Sequence, residues 1–153
     1  MSRIQLALNV PDLDEAVDFY SRLFGTEPHK RKPGYANFAV ADPPLKLVLF
    51  EAPDAGERLN HLGIEALDAD SLAGLTQRWN DAGLVEREEE ATACCHAVQD
   101  KAWTSGPDGT TWEAYRILED SVPHDPTLEA STGLQRGETP RARVEASRGV
   151  CCG

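Results

Sequence analysis

Two stretches, residues 4–10 (IQLALNV) and residues 59–66 (LNHLGIEA), decide how this chain folds. In the first, Ile4, Leu6, Leu8 and Val10 alternate with Gln5, Ala7 and Asn9, the period of a strand with one apolar face. The period then changes. Leu13, Ala16, Val17, Tyr20, Leu23 and Phe24 recur at helical spacing, Asp12 and Glu15 are placed as a capping box, and Gly25 is a natural stop. Further strands are expected at Tyr35 to Val40 and Leu45 to Glu51, parted by Asp42-Pro43-Pro44. From Leu59 the pattern restarts. A strand leads to Leu72, Leu75, Trp79 and Ala82 on a second helix, which Gly83 closes. Strands are then expected near Leu84 to Glu89, Cys94 to Thr104 and Thr111 to Leu118, the last two separated by Gly106-Pro107-Asp108-Gly109. Superposing Gln5 on His61 carries Asp12 onto Asp68 and Gly25 to within two residues of Gly83. The chain therefore reads as a duplicated strand-helix-strand-strand-strand unit of ~55 residues per copy.

This gives an α+β fold: paired βαβββ modules, about 1–55 and about 56–118, forming one domain (1–118) shaped as an incomplete barrel. Residues 119–153 are rich in Pro, Ser, Thr, Gly and charge and show no apolar period, so they read as a flexible, cysteine-ended tail. With 153 residues and 41% hydrophobic content the chain can bury a real core. Fifteen basic against twenty-six acidic residues give a net charge of −11, which argues against nucleic acid or an anionic membrane as partner. No apolar run approaches a membrane span, and MSRIQLALNV lacks the apolar stretch of a signal peptide, so a cytoplasmic location is expected. A homodimer is an assembly open to the chain.

The duplication has a chemical consequence. Helices are expected on the face carrying Ile4, Leu6, Leu8 and Val10. The opposite, concave face then carries Gln5, His61 and, by alternation, Glu113. Polar side chains facing a cavity need partners, and three from three strands can share a metal ion. Each also has an ordinary reading: His61 as a satisfied core histidine, Glu113 as an exposed edge carboxylate, Gln5 as a surface amide. The fourth symmetric position falls near Lys46, whose ammonium cannot ligate a dication. That leaves three protein ligands and open coordination positions on the ion.

Four cysteines form two vicinal pairs, Cys94 with Cys95 and Cys151 with Cys152. Neighbouring cysteines rarely bridge each other, and paired free thiols suit a soft ion or metalloid. On a regular strand the two would point to opposite faces, so joint capture by Cys94 and Cys95 needs a bulge or loop. The polar stretch Glu86 to Thr92 reads either as a solvated charged segment or as a flexible approach to them. His29, beside Lys30, Arg31 and Lys32, reads as a solvated basic edge; Lys101 is either a surface lysine or a group orienting an anionic substrate.

The paired units, His61 within NHLGIE and the run GPDGTTWEAY resemble the vicinal oxygen chelate superfamily, which includes glyoxalases, extradiol dioxygenases and bleomycin resistance proteins. Longer runs are more specific. SRIQLALNV, DFYSRLF, KRKPGYANFAVADPPLKLVLFE, LNHLGIE, TACCHAVQDKAW and the C-terminal CC resemble bacterial carbon–arsenic lyases and the related cadmium-induced proteins. The resemblance implies metal ligation by Gln5, His61 and Glu113, which would also form the catalytic centre, and capture of trivalent arsenic by Cys94 and Cys95. It implies Fe(II) as cofactor, O2 as co-substrate and a trivalent organoarsenical as substrate, cleaved at carbon–arsenic to give arsenite. The alternative it leaves open is a cadmium-induced metal-binding protein without enzymatic activity. His96 stands where an aromatic residue is usual in that family, which bears on pocket shape.

Overall fold

The computed structural model describes residues 1–94 and 97–120. The first module comprises β1 (Ser2–Val10), α1 (Leu13–Phe24), β2 (Lys30–Lys32), β3 (Tyr35–Val40) and β4 (Leu45–Glu51). The second comprises β5 (Leu59–Ala66), α2 (Ala69–Asp81), β6 (Arg87–Cys94), β7 (Ala97–Ser105) and β8 (Thr111–Asp120). Both are βαβββ units, as the repeat predicts. The basic run Lys30–Lys32, read from sequence as a solvated edge, is the second strand of the first unit, pairing with β3 at the rim of the sheet.

The eight strands form one sheet in the order β2-β3-β4-β1-β5-β8-β7-β6. The modules meet at the antiparallel pair β1–β5, and each first strand also pairs in parallel with the last strand of its own module. Helices cover one face. Val10, Leu13, Val17, Ala36, Phe38, Val40, Leu47 and Leu49 form the core under α1, with Leu6 and Leu8 packed against it. Leu75, Trp79, Ala102 and Ala114 form the core under α2, joined by Ile64, Leu72, Val85 and Trp112. Ile4, expected under a helix, is instead 46% exposed at the outer end of β1.

Helix ends follow the sequence signals. Asp12 and Asp68 each accept a hydrogen bond from the backbone N–H three residues on, at 2.9 and 2.7 Å. Gly25, at φ 62°, takes the left-handed conformation that ends α1 at no Cβ cost.

The strands after α2 depart from expectation. Leu84 and Val85 do not open a strand. The Leu84 N–H closes the helix end on the Trp79 carbonyl at 2.9 Å, and Val85 packs into the α2 core. Strand β6 starts at Arg87 and includes most of the acidic stretch expected to be a solvated segment or a flexible approach. Its pairing with β7 shifts between Glu89 and Thr92, around Ala91 at φ 45°. Replacing Asp12 by alanine is expected to cost about 1 kcal/mol, read as a lower denaturation midpoint at unchanged slope.

Candidate functional site

Alternation along the central strands turns one set of side chains away from the helices. Gln5 on β1 lies opposite Gly63 on β5, and Gly63 lies opposite Glu113 on β8. His61 stands two residues before Gly63 and so shares its face. Gln5, His61 and Glu113 are all buried, at 5–6% exposure, which removes the ordinary readings of Gln5 and Glu113 as surface groups. Their polar atoms converge. His61 Nε2 and Glu113 Oε1 lie 3.0 Å apart, Gln5 Nε2 is 3.0 Å from His61 Nε2, and it donates to Glu113 Oε1 at 2.6 Å.

Gly63 makes this convergence possible. A Cβ there would lie 3.1 Å from Glu113 Cγ and 3.2 Å from both Gln5 Cβ and Gln5 Nε2. The missing side chain is the space in which two side chains from strands on either side of β5 meet.

The imidazole is oriented by a relay. The Glu57 carbonyl accepts from Asn9 Nδ2 at 3.1 Å, Asn9 Oδ1 accepts from Asn60 Nδ2 at 2.9 Å, and Asn60 Oδ1 lies 2.7 Å from His61 Nδ1. A backbone carbonyl only accepts, so it sets the direction of both amides, and His61 Nδ1 must carry the hydrogen. The lone pair of Nε2 then faces Gln5 and Glu113. This tautomer is the one that ligates a metal through Nε2.

Lys101, buried at 5% exposure rather than on the surface, sets its Nζ 3.7 Å from Glu113 Oε2. It occupies the oxygen that faces away from His61 and leaves Oε1 turned inward. Trp103 completes this side. Its ring meets His61 edge-on with centroids 5.6 Å apart, and Arg87 stacks over it at 5.1 Å. Lys46, expected near the fourth symmetric position, lies opposite Gln5 on β4, while the register makes Val48 the counterpart of Glu113. Lys46 pairs with Glu65 at 3.9 Å, and Arg3 binds the other Glu65 oxygen. Tyr115 donates from its hydroxyl to Gln5 Oε1 at 2.5 Å. Burial, then the charges of Glu65 and Glu113, push the tyrosine pKa up, which keeps its proton in place.

The donor set suits a divalent ion. Neighbouring ligand atoms on an octahedral ion with bonds of ~2.1 Å lie about 3 Å apart, as these atoms do. Among the described residues no three His, Cys, Asp or Glu side chains form a metal cluster, so an ion here depends on the Gln5 amide as third donor. The amide nitrogen that faces the other two groups has no lone pair to offer; a half-turn of the amide presents its oxygen instead.

Cys94 ends β6, paired with Ala97 at the start of β7. Cys95 and His96, and the tail with His124, Cys151 and Cys152, lie outside the described residues. The structure adds Asn60, Gly63, Glu65 and Tyr115, which no motif in the sequence marks, to the site. The alternation that selects His61 also puts Gly63 and Glu65 on its face, and that signal was available.

The fold and site together define a paired-βαβββ protein with a buried imidazole, carboxylate and amide at the centre of its concave face. The chain belongs to the Glyoxalase/Bleomycin resistance protein/Dioxygenase superfamily, whose pattern matches residues 3–114 and so spans all three groups. It is 59% identical over 121 residues to the cadmium-induced protein CadI of Mycobacterium tuberculosis, covering 79% of this chain and 80% of that one. It is 54% identical over 122 residues to a trivalent organoarsenical cleaving enzyme of Thermomonospora curvata, covering 79% and 81%. In fold it resembles the Mn(II)-bound glyoxalase of Novosphingobium aromaticivorans, with a TM-score of 0.55 at 20% identity, over 82% of this chain and 43% of that one. No helix among the described residues is long and apolar enough to cross a membrane.

Gly63→Ala is expected to destabilise the protein by about 1–3 kcal/mol, because its neighbours are fixed to flanking strands and cannot both withdraw. Urea unfolding of the purified variant measures this.

Proposed function

We propose that this chain cleaves the carbon–arsenic bond of trivalent organoarsenicals and releases arsenite. The observation that carries the reading is the buried convergence of His61 Nε2, Glu113 Oε1 and the Gln5 amide within 2.6–3.0 Å of one another. The name of the 54%-identical relative supports the substrate class. Gln5, His61 and Glu113 would hold Fe(II). Bound there, it would supply coordination positions for O2 and the electrons of the cleavage.

The protein's own part is positional. The relay from the Glu57 carbonyl holds the imidazole in one tautomer. Lys101 holds the Glu113 carboxylate in one orientation. The buried setting of all three groups keeps bulk water from their inner atoms. Cys94 and Cys95 would hold arsenic as thiolates, fixing the substrate so that its organic group is presented to the site. A cytoplasmic location belongs to the same proposal, as does the absence of nucleic-acid partners, which the net charge of −11 supports.

The second reading is a metal-binding protein without enzymatic activity, favoured by 59% identity to a cadmium-induced protein. One assay separates them. Purified protein with Fe(II) and air is expected to release arsenite from methylarsenite. Binding of Cd(II) without any arsenite release would establish the second reading instead.

Two sets of variants test the residue roles. His61→Ala and Glu113→Ala are each expected to lower Fe(II) affinity by more than about 100-fold, beyond the loss an outer partner causes, with circular dichroism unchanged. Unaltered iron stoichiometry in either would remove the triad. Cys94→Ser and Cys95→Ser are expected to abolish methylarsenite binding while leaving Fe(II) binding intact, since serine keeps the shape and loses the soft donor. Titration of each variant with metal and with arsenical reads both properties.

A further inference from the structure

The amides beside the metal-ligating atoms are anchored in two different ways. Asn9 and Asn60 are directed by a backbone carbonyl, which accepts only, so their orientation and the His61 tautomer run one way. Gln5 is anchored by the Tyr115 hydroxyl, which both donates and accepts. The Tyr115 hydroxyl and the Gln5 amide reach each other across β5, which separates their strands.

The arrangement described above puts Gln5 Nε2 toward His61 and Glu113 and Gln5 Oε1 toward Tyr115. An ion needs the reverse. The two ends of an amide have nearly the same shape, so a half-turn exchanges them without repacking. A half-turn sends Nε2–H toward Tyr115 Oη, where a fixed donor would oppose it. The hydroxyl can instead rotate, accept from the amide and direct its own hydrogen elsewhere. Glu65, directly opposite Tyr115 on the neighbouring strand, is the carboxylate whose charge acts most strongly on that hydroxyl. Glu65 is itself held by Arg3 and Lys46.

We propose that Tyr115 is a positioning residue that makes Gln5 competent as a metal ligand, its hydroxyl donating to the amide oxygen in one orientation and accepting from the amide nitrogen when the oxygen turns to an ion. The proposal rests on the assignment of Gln5, His61 and Glu113 as the metal site. It gives a reason for Tyr115 to be a tyrosine: phenylalanine fills the same space and leaves either amide orientation without a partner.

The experiment is a two-by-two set: the parent, Tyr115→Phe, Gln5→Glu and the double variant, each titrated anaerobically with Fe(II) and separately with Co(II), whose absorption bands report the ligand set. Circular dichroism confirms folding. A carboxylate offers oxygen at both ends, so Gln5→Glu removes the need for orientation. Tyr115→Phe is expected to weaken binding about tenfold or more in the parent, the cost typical of losing an outer partner, and to change binding little in the Gln5→Glu background. Equal losses in the two backgrounds would mean that Tyr115 acts only through packing, and would overturn the proposal. So would full affinity in the Tyr115→Phe single variant. Failure of the parent to bind either ion, or binding that survives His61→Ala, would overturn the metal site itself and the proposal with it.

Discussion

The antiparallel pairing of β1 with β5 is the joint on which this molecule depends. Neither module contains the site. The first contributes Gln5 and the second His61 and Glu113, and only the register that sets Gln5 against Gly63 brings them together. A slip of one residue would turn Gln5 toward the helices and bring Leu6 into the polar centre. The apolar alternation of β1 guards against that slip, because Leu6 and Leu8 are packed against the α1 core. The hydrophobic core and the polar site are thus two faces of one register.

Electrostatics on the concave face are closed in two groups. Glu113 faces Lys101, while Glu65 faces Arg3 and Lys46. Removing one member of a buried pair commonly costs about 3–5 kcal/mol, because the remaining charge is left without compensation. Replacing such pairs with apolar residues is often no worse for stability. Their presence along the line of the site therefore speaks for orientation of carboxylates rather than for stability.

Much of this was legible in the chain. Period-2 and helical spacing located both helices and the strands that carry the site, and the duplication identified Gln5 as the counterpart of His61. Alternation could tell which residues face away from the helices. It could not tell which lie side by side, since register between distant strands is a tertiary property. Hence alternation puts Gly63 on the face of His61, but only the register shows it as the space shared by Gln5 and Glu113. The second module's outer strands depart from their sequence pattern for a different reason. Leu84 and Val85 look like a strand opening, but the end of α2 uses them, and the glutamates that follow form a strand through pairing with β7 despite weak intrinsic preference.

The sheet is open, and its two rims carry opposite signs. One ends in Lys30–Lys32, the other in a strand that begins Arg-Glu-Glu-Glu. Two copies meeting rim to rim about a twofold axis would set lysine and arginine against their like, or glutamate against glutamate. Such contacts are discouraged by charge, and the basic rim is only three residues long. Only a head-to-tail meeting of unlike rims is attractive, and a meeting of that kind repeats without closing unless a rotation brings it round. The same eight strands that gather a polar centre thus leave borders whose polarity disfavours growth of the sheet by mirror-like addition.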